Sequence, residues 1–569
     1  MDRLKSITIS LTKYLLIIIS IVLFIIGILS IFITARLDNT FFHQSENTIY
    51  EFSFGIIPLI VAIFITIITY IFNKKIFKKI NHNILLTILL VLCTIIFAIW
   101  VHVLKLYPIS DQKMIYDMAV DFNKNHNLNN HLVFGQYLYL YPFQIGLVLL
   151  VSHIFKILGE NYLYIEYLNV ICSIVNMFLL YRISQTIFEK KEQKALIILE
   201  ALFSFYWMFF NEHFYGNIIG LTFALLSAYT ILLFTKNNRY RYLLLSAVTI
   251  ALSIIIKKNY SIFLCGIIIY LLFEKIIKKQ NPLKVLIIFI AIYCAINLGF
   301  KLTVKYLYKI DLPEGLPMIT YVYMGMSEPV DKAPGWYSDV PKTIHDQNAG
   351  NNASIINSTK KLIGDRIIYF AKNPGDFVSY FSQKFASTWL NPTFQTIWCS
   401  IPGNRYRLDE DYAHYLGYHE KILSIVGGDL YKIEEKYFDA LEIVIFVFSG
   451  MSLFSTAYRI NGNNKMDNDN NISNDTNEIN MSLFLLPLIF IGGLAFHLIW
   501  ETKAIYVIQY YYLLLPYAAD GITKLKQWTW GRPFLTIFCQ KGTAPWVLNY
   551  FSTTNYYISG HKTLLIVLV

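Results

Sequence analysis

Apolar residues in this chain gather in long runs separated by short polar or basic segments. Crossing a hydrocarbon core takes roughly 20 mostly apolar residues. Runs of that kind fall at about 14–34, 53–73, 84–106, 165–188, 195–211, 215–235, 242–256, 260–274, 284–303, 437–458, 481–500 and 504–520. The pattern predicts an all-α polytopic membrane protein with about 12 transmembrane helices. The run from 14 exceeds a signal-peptide core and lacks a small-residue cleavage site, so the first 35 residues read as a retained span.

Basic residues set the orientation. Clusters such as Lys74, Lys75, Lys78 and Lys79, or Lys275, Lys278, Lys279 and Lys284, fall in alternate connecting segments. The intervening short segments carry few Lys or Arg, and a cytoplasmic N-terminus satisfies the positive-inside rule. One apolar run breaks the alternation, Tyr141 to Leu158 (YPFQIGLVLLVSHIFKIL), because a span there would invert all that follows. It is therefore read as a helix at or dipping into the outer interface.

The resulting organisation has two N-terminal helices (1–83) and a membrane core (84–303) that includes a first outer loop, 107–164. An extracytoplasmic loop domain follows (304–436), then C-terminal helices (437–521) with a polar cytoplasmic loop (459–480), and a tail (522–569) without an assigned role. The loop domain carries Pro313, Pro317, Pro329, Pro334 and Pro341 and a Gly-, Asn- and Asp-rich middle. Its segment Ile363 to Trp389 shows helical periodicity interrupted at Pro374. The stretch NGNNKMDNDNNISNDTNEIN is too polar to fold on its own.

Composition narrows the partners. The chain is 56% hydrophobic with a net charge of +11, but its cations sit between apolar runs, so no basic domain is left for a nucleic acid and membrane lipids are the expected surroundings. The six cysteines show no CxxC spacing, which indicates neither a disulfide framework nor a metal site.

Topology places several ionisable residues on the outer side. Asp111 follows a span directly, in YPISDQKMIYDMAVDF, and a helix starting near Ser110 would show Asp117 and Asp121 on one face. A carboxylate beside a bilayer suits a general base, and a solvated loop acid is the plain alternative. Glu212 and His213 close the aromatic span FSFYWMFFNEHFYG as an acceptor-substrate or metal contact, or as an interfacial cap. Lys257 and Lys258 interrupt LSIIIKKNYSIFL against the positive-inside trend, either to meet a phosphate or to snorkel to headgroups. In FHLIWETKAIY, His497 and Glu501 are spaced to share a helix face, and Lys503 and Tyr506 follow; the group suits phosphate and sugar hydroxyls, or a Glu501–Lys503 pair closes a hairpin.

The segments SDQKMIYDMA, YPFQIG and HLIWETKAIY followed by YYYLLLPYAADGI resemble membrane glycosyltransferases of the GT-C superfamily, nearest the protein mannosyltransferase-like group (glycosyltransferase family 39-like) of Gram-positive bacteria. The resemblance runs over about 84–521. It implies a GT-C-type bundle with two large outer loops in the cell membrane. It further implies an inverting enzyme that moves a sugar from a polyprenyl-phosphate donor to an envelope glycan, lipid or protein. Asp111 would be the base, and Glu501 and Lys503 would form the late acid-plus-basic motif. Many members carry two adjacent acids in the first loop, whereas Gln112 follows Asp111 here, which weakens the case for a metal, although a divalent metal is still an open cofactor. Two other classes stay in view. A lipid-linked glycan transporter would carry mid-membrane charges and an internal repeat. A glycan polymerase would carry Arg-rich outer loops, whereas Arg366, Arg405 and Arg407 are scattered.

Overall fold

The computed structural model describes residues 2–38, 45–188, 193–401, 425, 428–462 and 480–525. Lys190, Lys191, Arg405, Arg407, most of the polar loop 459–480 and the tail after Leu525 lie outside the described residues. Helix α1 (Asp2–Phe32) leads into a hairpin of β1 (Ile33–Leu37) and β2 (Thr48–Phe52), followed by α2 (Ile56–Ile71) and α3 (His82–Leu104). The segment 107–164 holds α4 (Ser110–Asn125) and α5 (Ile145–Leu158). The core continues as α6 (Leu163–Ile187), α7 (Gln193–Phe210), α8 (Asn217–Asn237), α9 (Tyr240–Ile256), α10 (Ser261–Ile277) and α11 (Pro282–Leu302). The loop domain contributes α12 (Ile319–Met324), α13 (Val340–Gln347), α14 (Asn352–Lys372) and α15 (Pro374–Trp389). Helices α16 (Asp429–Gly462), α17 (Leu485–Ile499), α18 (Ile508–Tyr512) and α19 (Leu515–Thr523) complete the described chain.

Among the described residues ten helices are long and apolar enough to cross a membrane, and the 17-residue helix α9 and the stretch Pro142–Leu158 are shorter apolar helices. Burial sorts them. The most apolar window of α8 is 72% buried within the protein, whereas that of Pro282–Leu307 is 11% buried, leaving most of α11 for lipid. Close helix approach relies on small residues, since lipid offers no hydrophobic drive for helices to pair. Where α1 crosses α16, the Ser20 hydroxyl donates to the Gly450 carbonyl at 2.8 Å.

Two features differ from the sequence reading, and a third refines it. The run 504–520 is not one span: it breaks into Ala504–Tyr506, α18 and α19, and Tyr510 to Leu515 are wholly buried, so interior packing substitutes for an unbroken ladder. The hydrophobic pattern did not announce the β1–β2 hairpin, which docks by the Ala35 N–H donating to the Leu390 carbonyl at 2.8 Å. The 141–158 run begins with a proline-led turn and yields only the 14-residue α5. This helix packs against α4 and α9; a Cβ on Gly146 would lie 2.1 Å from the Ile255 carbonyl oxygen, so only glycine permits that contact.

Candidate active site

The site is assembled at the chain crossings beside the ends of α3, α7, α9 and α17. Helix α3 stops at Lys105, which adopts a left-handed conformation (φ 46°), and α4 starts at Ser110. Asp111 therefore stands in the first turn of α4, where unpaired N–H groups favour a negative charge, and it is exposed. Asp117 and Asp121 do lie further along α4, paired with Lys113 at 2.5 Å and His131 at 2.7 Å.

Two bonds, one from Asp111 and one from Gln112, tie the start of α4 to the turn between α7 and α8. The Tyr215 hydroxyl donates to Asp111 Oδ2 at 3.0 Å, and the buried Gln112 side chain accepts the Phe214 N–H at 2.9 Å. Gln112 thus clamps the backbone of that turn. Behind Tyr215, the Gln144 amide donates to its hydroxyl at 2.6 Å, and the Tyr137 hydroxyl lies 3.0 Å away. The turn is held from α6, where the Asn169 amide donates to the Asn211 carbonyl at 3.0 Å and the Ser173 hydroxyl to Asn211 Oδ1 at 2.8 Å.

Lys257 caps α9 in extended conformation and is only 8% exposed. Its ammonium lies 3.4 Å from the centroid of the Tyr215 ring, a cation–π contact on the tyrosine that binds Asp111. Burial pushes its pKa down to about 7, against the opposing pull of Asp111 and Glu501. Those two carboxylates, almost four hundred residues apart in sequence, therefore act on one ammonium.

Glu501 is held from the loop domain. Helix α17 ends at Ile499 and Trp500 leaves it extended, which corrects the expectation of a helix face shared by His497 and Glu501. The His497 ring nitrogen Nδ1 instead meets the Glu501 carbonyl at 3.3 Å. The Glu501 N–H donates to the Tyr321 carbonyl at 3.2 Å, and the Thr502 N–H to the Gly335 carbonyl at 2.9 Å. From α15, the buried Lys384 ammonium donates to the carbonyls of Gly325 at 2.6 Å, Trp500 at 2.8 Å and Leu498 at 3.0 Å. The Tyr506 hydroxyl donates to Glu501 Oε1 at 3.3 Å. Burial raises the Glu501 pKa to about 7, with Lys503, Tyr506 and Lys257 opposing and Asp111 adding to the rise.

Lys503 is paired with Glu46, from the segment just before β2, and Lys332 reaches the other oxygen of the same carboxylate at 2.9 Å. Burial alone would raise the Glu46 pKa, but Lys503 and Lys332 hold it below the usual carboxylate range. Asp111, Lys257, Glu501, Lys503 and Tyr506 are thus linked by bonds or by mutual fields. Lys258 is exposed and feels Lys301. Glu212 is buried within electrostatic reach of Tyr167, together with Glu166. Neither is among the main charges acting on Lys257 or Glu501. Among the described residues no three His, Cys, Asp or Glu side chains gather as a metal site.

Sequence reasoning passed over Tyr215, Glu46, Lys332 and Lys384. Tyr215 was visible only as one aromatic in FSFYWMFFNEHFYG, and Lys384 only as one polar position in an amphipathic helix.

Residues 145–299, from α5 into α11, match the family model described as dolichyl-phosphate-mannose-protein mannosyltransferase. The chain is also similar to the crystal structure of the Archaeoglobus fulgidus oligosaccharyltransferase in the apo form, at 14% identity and a TM-score of 0.39 over 85% of this chain and 53% of that one. A second similar structure is the archaeal oligosaccharyltransferase AglB from Archaeoglobus fulgidus in complex with an inhibitory peptide and a dolichol-phosphate, at 12% identity and a TM-score of 0.35 over 86% of this chain and 54% of that one. The chain spans about half the length of these structures. No curated protein sequence matches the chain.

Proposed function

We infer, from the premise that this chain is a multi-pass membrane glycosyltransferase of the GT-C superfamily, that it transfers one sugar from a polyprenyl-phosphate donor to an envelope glycan, lipid or protein. The reaction is placed at the extracytoplasmic face of the cell membrane. Asp111 takes the proton of an acceptor hydroxyl, whose oxygen attacks the anomeric carbon in one inverting displacement. The bond from that carbon to the phosphate oxygen breaks, and its electron pair leaves with the lipid phosphate. The developing charge is met by Lys257 and by Lys503, which trades its pairing with Glu46 for the phosphate. Glu501 and Tyr506 orient the sugar hydroxyls.

The observation that carries this reading is the convergence of Asp111, Lys257 and Glu501, from three separate connecting segments, around Tyr215 and Tyr506. The exposed Asp111 is open to an acceptor, while Lys257 is buried away from water. The test is label transfer from a panel of polyprenyl-phosphate sugars by purified protein. Asp111→Asn keeps an acceptor for the Tyr215 hydroxyl but removes the base, so kcat should fall about 10²- to 10⁴-fold. Undiminished transfer by that variant would remove Asp111 from the mechanism. Absence of transfer from any donor would favour a transporter of lipid-linked glycans.

A further inference from the structure

Between Asp111 and the Lys332–Lys503 pair lies a row of tyrosines. Tyr321 on α12 is 9% exposed, and its ring stacks on Trp500 with centroids 6.0 Å apart and planes 6° from parallel. It forms one packed cluster with Leu140, Leu316 and Met324, against which Tyr141, Tyr337 and Trp500 are laid. Its backbone carbonyl fixes the N–H of Glu501, so side chain and acid are held in register. Tyr321 and Tyr141 both lie within electrostatic reach of Asp111 and Glu501. Tyr337 carries the row to the lysines, with Lys332 5.3 Å and Lys503 5.9 Å from its ring centroid, and donates to Asp339 Oδ1 at 3.1 Å.

Among the described residues the Tyr321 hydroxyl has no hydrogen-bond partner. A buried hydroxyl without a partner costs about 1–3 kcal/mol, so phenylalanine would be the more stable residue if packing alone decided. An aromatic face beside a free hydroxyl and two acids suits a sugar ring, which offers C–H bonds on one side and hydroxyls at its rim.

We propose that Tyr321, with Tyr141 and Tyr337, forms the subsite for the transferred sugar ring of the donor, and that the Tyr321 hydroxyl bonds a ring hydroxyl. The placement rests on the glycosyltransferase reading above: a ring lying on this row has its anomeric carbon toward Asp111 and its phosphate toward Lys503.

The test compares wild type with Tyr321→Phe in the full chain, using polyprenyl phosphates bearing mannose, glucose, galactose or N-acetylglucosamine, and deoxy analogues of the preferred sugar. The substitution should leave Tm unchanged or raised. It should raise KM for the preferred donor about tenfold, and it should erase the wild-type discrimination against one deoxy analogue. Donor binding is read separately from the fluorescence of Trp500, with Trp500→Phe as the blank and sugar-free polyprenyl phosphate as the control. Normal transfer with unchanged KM and discrimination in Tyr321→Phe would overturn the subsite and leave the glycosyltransferase reading intact. If wild type transfers nothing, that reading fails. The subsite is then decided by fluorescence: a sugar-dependent change lost in Tyr321→Phe supports it, and no such change overturns it.

Discussion

Lys257 and Lys384 are both buried lysines whose pKa burial lowers to about 7, yet replacing them by methionine should shift stability in opposite directions. For Lys257, a drop from 10.5 to about 7 corresponds to roughly 5 kcal/mol of unfavourable charge burial below pH 7. The Tyr215 face returns about 2 kcal/mol of that. Lys257→Met should therefore stabilise the protein by about 3 kcal/mol at pH 6. The sign follows from proton uptake: between pH 7 and 10.5 the unfolded chain holds the proton that the folded chain has released, so wild-type stability rises over that window and the advantage of the variant shrinks. Lys384 is different because its ammonium satisfies three carbonyls. Charge-assisted bonds worth about 1.5–3 kcal/mol each match or exceed the burial term, and methionine would leave the carbonyls of Gly325, Leu498 and Trp500 dry. Lys384→Met should destabilise by about 3 kcal/mol. Thermal unfolding in detergent at pH 6 and pH 9 measures both, alongside label transfer, where Lys257→Met should cost about 10²- to 10³-fold in kcat. If both variants moved Tm the same way, partner geometry would not be what separates two equally buried charges, and the reasoning would fail.

Three other outcomes are expected. Glu501, raised from 4.5 to about 7, binds more protons folded than unfolded between those values; wild-type stability falls over that window, and Glu501→Gln should be more stable at pH 8 by about 3 kcal/mol, checked by Tm against pH. Glu46→Gln removes the carboxylate shared by Lys503 and Lys332, so stability at pH 7 should drop by about 1–3 kcal/mol while KM for a phosphate-bearing donor falls, because a competing anion is gone. The stability that Glu46 provides is present above the ordinary carboxylate range and lost as pH falls through its lowered pKa, so the stability difference between wild type and variant should vanish in acid. Gly146→Ala must push α5 off the Ile255 carbonyl, and should lower Tm and, through Gln144, loosen the Tyr215 bond to Asp111 enough to reduce kcat.

The apolar helices were legible in the sequence because the bilayer imposes a length on apolar runs. The break before Pro374 was likewise a local matter of ring geometry, and the helix expected from near Ser110 begins there without a side-chain cap. What tertiary structure alone decided is which of several similar charges share a pocket. Lys257 and Lys258 are neighbours of identical chemistry, and only the extended exit from α9 buries the first while leaving the second exposed. Glu501 lost its expected helix face because bonds to Tyr321, Gly335 and Lys384, on segments over a hundred residues away, outweigh another helical turn. Glu46 reaches Lys503 across 457 residues of chain. Periodicity and spacing record interactions between near neighbours along one element. The fields and carbonyl contacts that define this site act between elements, and no local pattern encodes them.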